Sequence, residues 1–163
     1  MRTRHLRGVV SIEQQTSLRP WSRDLMASEL KQVSSRSFVA VRPDAAVVGF
    51  AFLMSTGFEA HVTNIAVDPS MRRQGIATLL MLRLVAATVA WQLTDLTLEV
   101  RASNEAAQSL YRRFGFEPEG VRPRYYAENG EDAIIMWARG IESDEYQRRV
   151  DGIVADLSGR SER

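Results

Sequence analysis

The stretch from His61 to Trp91, HVTNIAVDPSMRRQGIATLLMLRLVAATVAW, restricts the fold more than any other part of the chain. It reads as a strand over 61–68, a turn at Asp68-Pro69 and a long helix over 75–91. Ile76, Leu79, Leu80, Leu84, Ala87 and Trp91 make one apolar stripe on that helix, and the stripe needs an apolar surface to cover it. The next segment, LTDLTLEVRA at 93–102, alternates: Leu96, Leu98 and Val100 face one way, Thr97, Glu99 and Arg101 the other. Strand, helix, strand in this order is a crossover that joins parallel strands.

The flanking segments add an antiparallel half. HLRGVVSIEQQTS at 5–17 places Leu6, Val9, Val10 and Ile12 at helical spacing, with Gly8 as a weak point. Pro20 breaks the chain, Ser22 can cap, and Leu25, Met26 and Leu30 make a short second helix. SFVAVRP at 37–43 and AVVGFAFLMS at 46–55 are two strands joined at Pro43-Asp44. Ser103 or Asn104 caps a helix that runs to Arg113 and stops at Gly115. FEPEGVRPRYY is strand-like but broken by Pro118 and Pro123, and EDAIIMWA at 131–138 closes the order as a strand. The expected architecture is mixed α/β, a mostly antiparallel sheet with a parallel crossover and about four helices. The expected domain is 1–140. The charged segment 141–163, thin in apolar residues, is expected to be a loose helix or disordered.

At 163 residues the chain is sized for one core, and its 45% hydrophobic and 25% charged residues are those of a soluble globular protein. A net charge of +1 gives no global basic field for nucleic acid. The absence of cysteine removes disulfides, thiolate metal sites and a Cys nucleophile, and fits a cytoplasmic location. The start MRTRHLRGVV lacks the apolar run of a signal peptide, and Arg83 interrupts the most apolar segment, so no membrane span is expected. His5 and His61 read as structural or exposed residues rather than metal ligands.

The loop between strand and helix, Arg72-Arg73-Gln74-Gly75, has the makings of an anion site. The first turn of a helix carries free N–H groups and partial positive charge. Gly75 allows close backbone approach, and Arg72 and Arg73 add charges suited to phosphate. The nucleoside-triphosphate pattern GxxxxGK[ST] and the dinucleotide pattern GxGxxG are both absent. An exposed basic turn is the plainer alternative. The second informative stretch is LEVRASNEAAQSLYRRFGF at 98–116. Glu99 lies off the apolar face, where pairing with Arg101 on the same face would be an ordinary explanation. Asn104 and Tyr111, seven residues apart, share a helix face. A cap and a core aromatic would account for them equally well.

Arg72-x-x-Gly75-x-Ala77 resembles the [QR]-x-x-G-x-[GA] pyrophosphate loop of the GCN5-related N-acetyltransferase (GNAT) superfamily, in the position where that family has it. The wider series NIAVDP, RRQGIA, LEVRASN, LY-x2-FGF, RPRYY and EDAIIM is similar to RimI-type ribosomal-protein-alanine N-acetyltransferases, over roughly residues 5–138. The resemblance implies the GNAT fold, acetyl-CoA as co-substrate, no metal, and as acceptor the N-terminal alanine of small-subunit ribosomal protein eighteen. It implies Glu99 as proton acceptor and Tyr111 as proton donor. It sets Ile65, Ala66 and Val67 along the pantetheine arm. Arg72, Arg73, Gln74, Gly75, Ile76, Ala77 and Thr78 fall at the pyrophosphate, and Asn104 at a further acetyl-CoA contact. Tyr125 and Tyr126 fall near the peptide groove, which residues 18–30, 55–60 and 121–129 should line.

These residue types suit the chemistry. A peptide α-amino group titrates at about 7.7–8.0, so a base is needed to free it near neutrality. The Val67 amide could bond the thioester oxygen as charge develops, and a Tyr hydroxyl could protonate the leaving thiolate. No step requires a metal or a covalent enzyme intermediate. Other readings are a broader N-terminal or lysine acetyltransferase, a small-molecule amine acetyltransferase, or a non-catalytic acyl-CoA sensor. Retained Glu99 and Tyr111 argue against the last. Two departures stand out. Only MRTR precedes His5 where the family has a strand, so that strand is very short or the start lies upstream. Ala77 also stands where many members have a second glycine.

Overall fold

Among residues 1–161, which the computed structural model describes, the chain forms five α-helices and six β-strands. Their order is α1 (Leu6–Thr16), α2 (Arg23–Glu29), β1 (Ser35–Val41), β2 (Val47–Ser55), β3 (Ala60–Val67), α3 (Ile76–Ala90), β4 (Leu96–Arg101), α4 (Glu105–Arg113), β5 (Glu117–Tyr126), β6 (Glu131–Ala138) and α5 (Asp144–Ser161). The chain divides into two compact units, residues 1–56 with 61–87, and residues 57–60 with 88 onward.

In the first unit the strands are ordered β1-β2-β3, and β1 pairs antiparallel with β2. Residues 48–53 of β2 are buried without interruption, the pattern of a strand covered on both faces. One face presents Phe50 and Phe52 to Leu6, Val9, Ile12 and Met26 of α1 and α2. On the other, a Cβ added at Gly49 would lie 2.9 Å from Ile76 Cγ2 and 3.2 Å from Leu80 Cδ1. Glycine there lets α3 close onto β2. Gly8, the expected weak point of α1, has a similar reason: a Cβ would meet Val47 Cβ at 2.8 Å. The apolar stripe of α3 is corrected by the structure. Leu79 is 52% exposed, and Met81 and Val85 are buried instead. In α2 Met26 is buried while Leu25 is exposed, and Ser22 caps by accepting the Leu25 N–H at 3.1 Å. Residues 3–5 form a 3₁₀ turn rather than a strand, and the Met1 ammonium donates to the Ser37 carbonyl at 2.7 Å.

In the second unit the strands are ordered β4-β6-β5, with antiparallel pairing throughout. Leu96, Leu98 and Val100 are buried as the alternation requires. Thr97 is buried too, because its hydroxyl donates to the Met136 carbonyl at 3.1 Å. The two prolines do not end β5. They sit at or beside its two register shifts, Pro118/Gly120 and Arg122/Tyr126, where a missing N–H is tolerated. Ala60, which opens β3, donates its N–H to the carbonyl of Asp95, just before β4, at 3.0 Å. The residue that opens β3 thus lies beside the residue that leads into β4, as a parallel crossover demands. Within the segment expected to be a loose helix or disordered, Asp144–Ser161 is helix α5; Ile141 just ahead of it and Tyr146 and Ile153 on it are buried, and Arg113 Nη2 lies 2.7 Å from Asp156 Oδ2. Residues 162–163 of that segment lie outside the described residues. Among the described residues no helix is long and apolar enough to cross a membrane.

Candidate active site

The first unit holds the basic loop. Ile65, Ala66 and Val67 end β3, all half-buried. Asp68 then accepts the Ser70 N–H at 2.9 Å and the Ser70 hydroxyl at 2.6 Å, and the hydroxyl bond foremost holds its carboxyl below the usual range. Pro69 opens a short 3₁₀ turn through Met71. Arg72 leaves it extended, Arg73 has φ 65° and Gly75 has φ 80°. Left-handed backbone at a residue as large as Arg73 costs roughly 1–2 kcal/mol, and such strain gathers where ligands bind. Turns of this kind are among the places where backbone N–H groups form anion-binding concavities. Ile76, Ala77 and Thr78 supply the first turn of α3, and Arg72, Arg73 and Gln74 are exposed beside it. This set fits a diphosphate through backbone amides and two guanidinium groups.

The second unit holds the acid–base candidates. Glu99 on β4 lies across from Ile135 on β6, which in turn faces Gly120 on β5. Its side chain is 11% exposed and sits 3.1 Å from Arg122 Nε. The partner that faces Glu99 across the sheet is thus Arg122, from β5. Arg101 instead ion-pairs with Glu128 and with Glu131, the latter at 3.0 Å, and its guanidinium stacks 3.7 Å from the centre of the Tyr126 ring. Tyr111 on α4 is 6% exposed and packs on Phe116 with ring centres 5.8 Å apart. Burial, with Tyr126 nearby, pushes its hydroxyl well above the ordinary tyrosine range. Burial likewise pushes Tyr126 up to about 12 against the opposing pull of Arg101, with Tyr125, Glu99 and Glu131 also raising it. Tyr126 thus feels the charge of Glu99, and Tyr111 feels that of Tyr126. Tyr125, 49% exposed, stands edge-on to Tyr126 at 5.2 Å.

Asn104 is the N-cap of α4, its Oδ1 accepting the Ala107 N–H at 3.1 Å. Three residues went unread in the sequence. Arg122 lies in RPRYY, where the tyrosines stand out, and Glu131 opens EDAIIMWA, where the strand pattern does. Buried Gln108 donates to the Arg101 and Ala102 carbonyls at 3.1 and 2.9 Å and so ties α4 to the end of β4. Glu131 accepts from the Ser103 hydroxyl at 2.5 Å and N–H at 2.9 Å, and these bonds, with Asn129 and Arg101, hold its carboxyl down to about 2. A polar residue at the start of a strand is the only signal it gave.

The profile of the acetyltransferase (GNAT) family matches residues 6–116. The chain belongs to the GNAT acetyltransferase family. A [ribosomal protein bS18]-alanine N-acetyltransferase from Escherichia coli K12 is 36% identical over 138 residues, covering 83% of this chain and 92% of that protein. A relative from Bacillus subtilis is 35% identical over 137 residues, 84% of this chain and 91% of its own length. The crystal structure of the ribosomal-protein-S18-alanine N-acetyltransferase from Escherichia coli superimposes with a TM-score of 0.77 at 35% identity, covering 86% of this chain and 90% of that one. GNAT enzymes use acetyl-CoA, and the loop at 72–78 has the chemistry to hold its pyrophosphate.

Proposed function

We propose that this acetyltransferase moves the acetyl group of acetyl-CoA to the N-terminal α-amino group of a protein in the cytoplasm, in its narrowest form the N-terminal alanine of ribosomal protein bS18. The reading is carried by the match to bS18-alanine N-acetyltransferases along most of both lengths, in a chain whose Glu99 carboxylate is largely shielded from solvent. Residues 72–78 receive the pyrophosphate, Ile65, Ala66 and Val67 lie along the pantetheine arm, and Asn104 makes a further acetyl-CoA contact. The Val67 N–H bonds the thioester oxygen as negative charge grows there.

The second unit supplies the proton chemistry. Glu99 takes a proton from the acceptor ammonium, directly or through water, and the neutral amine attacks the thioester carbon. The carbon–sulfur bond breaks as the amide forms. Tyr111 keeps its proton throughout the working pH range, because its raised value opposes ionisation. Its O–H is therefore available to share with the departing thiolate. Tyr125 and Tyr126 flank the acceptor chain. No step in this route calls for a metal.

The test is to incubate the protein with acetyl-CoA and peptides starting Ala-Arg, Met-Leu or Ser, and with an N-terminally blocked peptide containing lysine. CoA release is measured and the acetyl group located by mass spectrometry. Acetylation at the α-amine of the Ala-Arg peptide is expected. Acetylation confined to lysine overturns the reading.

A further inference from the structure

One buried carboxylate has no part in the route above. Glu13, near the end of α1, is only 2% exposed. Its backbone carbonyl accepts the Ser17 N–H at 2.9 Å, which closes α1. Its Oε1 accepts the Trp21 N–H at 3.0 Å, immediately before the Ser22 cap of α2. One residue therefore grips both ends of the connector 17–22. Between those grips Leu18, Arg19 and Pro20 are exposed, and Trp21 packs on Phe52 with ring centres 5.5 Å apart. The other oxygen, Oε2, accepts from Asn64 Nδ2 at 3.2 Å. Asn64 is on β3, next to Ile65.

Burying a carboxylate is costly, and an apolar pair would join α1 to β3 with less desolvation. What a carboxylate adds is direction. Two oxygens with fixed donors set a single register between the connector and the strand, whereas an apolar contact tolerates sliding. We propose that Glu13 is a positioning residue that sets the α1–α2 connector in register with β3 at Asn64, and so fixes an acceptor on the connector relative to a thioester laid along 65–67. The inference rests on the acetyl-transfer reading and deepens it. Glu13 touches no substrate in this scheme; it acts through Trp21 and Asn64.

Asn64→Asp sets two carboxylates against each other. Glu13→Gln keeps both contacts, since its amide oxygen can take the Trp21 N–H while its NH2 donates to the Asn64 side chain once that amide turns over. In the double variant the same NH2 donates to the new carboxylate. KM for the acceptor and for acetyl-CoA are measured separately, with thermal melts to establish folding. Asn64→Asp is expected to raise the acceptor KM about tenfold, with the acetyl-CoA KM within about twofold of wild type; Glu13→Gln and the double variant should lie within about threefold of wild type in both. If Asn64→Asp does not fold, Asn64→Ala is used, with an acceptor KM raised about three- to tenfold and faster hydrogen exchange across 17–22. An unchanged acceptor KM, an equal rise in both KM values, or no rescue in the double variant overturns the proposal. If wild type acetylates some other amine, the protein N-terminal reading fails, while the same KM split, read with that amine, still decides the role of Glu13.

Discussion

The loop at 68–78 and the end of the β5–β6 hairpin around 122–131 are built on opposite plans. The loop gets its shape from backbone: an aspartate turn, a proline, left-handed Arg73 and Gly75, and then a helix. Its large polar side chains stay exposed. The hairpin end gets its shape from side chains. Arg101 binds Glu128 and Glu131, stacks on Tyr126, and is joined by Ser103 through Glu131. A site made of amides should tolerate changes of neighbouring side chains and fail when φ is restricted. A site made of ion pairs should fail when a single charge is removed.

The largest effect belongs to Glu99, which is paired with Arg122 and largely shielded from solvent. Glu99→Gln is expected to lower kcat/KM for the acceptor by about 10²–10⁴. The loss should be greatest at low pH, where free amine is scarce, and acetyl-CoA affinity measured by calorimetry should be unchanged. If CoA affinity falls in parallel with turnover, the division of labour between the two regions is wrong.

Next is Gly75, at φ 80°. Gly75→Val forces a β-branched residue into left-handed backbone, a strain of roughly 1–2 kcal/mol. If binding absorbs that strain, the acetyl-CoA KM rises about 5- to 30-fold while the acceptor KM holds. Steady-state kinetics with each substrate varied in turn gives the answer. An equal rise in the acceptor KM would mean that the loop does more than hold the donor.

The two plans also explain what could be read from sequence. Glycine and proline positions and helix caps are local, so the turn at Asp68-Pro69, a cap at Ser103 or Asn104 and the run of elements are legible in sequence. Partners of charged residues are set by register between strands. Arg101 and Glu131 are 30 residues apart, and they meet because Arg101 faces Ala133 across the β4–β6 ladder. Strand alternation alone offered Glu99 and Arg101 to each other. Arg122 comes within 3.1 Å of Glu99 from β5, two strands away, which alternation along one strand does not reveal. The exposure of Leu79 is hidden for another reason, since a helix apolar nearly all round does not announce which face is covered. The packing of α5 was hidden because Ile141, Tyr146 and Ile153 are spread thinly among charges.

Arg101→Met tests the hairpin plan with a smaller effect. It removes the stack on Tyr126 and both ion pairs while keeping an unbranched side chain. The acceptor KM should rise about three- to tenfold, with the acetyl-CoA KM flat. A rise confined to acetyl-CoA would place the tyrosine pair on the donor side and reverse its assignment.

The smallest effect compares the two regions directly, because each has one carboxylate held by a neighbouring serine: Asp68 by Ser70, Glu131 by Ser103. Both are lowered in the folded protein, so each contributes stability that is complete above its unfolded value and lost as pH falls through the folded one. For Glu131 that window runs from about 4.5 down to about 2. Glu131→Gln should therefore lower the melting temperature by a few degrees, about 2–4 °C, at pH 6. The difference from wild type should shrink as pH approaches 2. Asp68→Asn should show the same sign with a smaller amplitude, since its bonds stay within three residues of one turn while those of Glu131 join β6 to the end of β4. Melts of both variants and wild type from pH 6 to pH 2 make the comparison. A pH-independent gap for Glu131→Gln would show that its ionised form adds nothing to the hairpin, and the side-chain plan would then rest on Arg101 and Tyr126 alone.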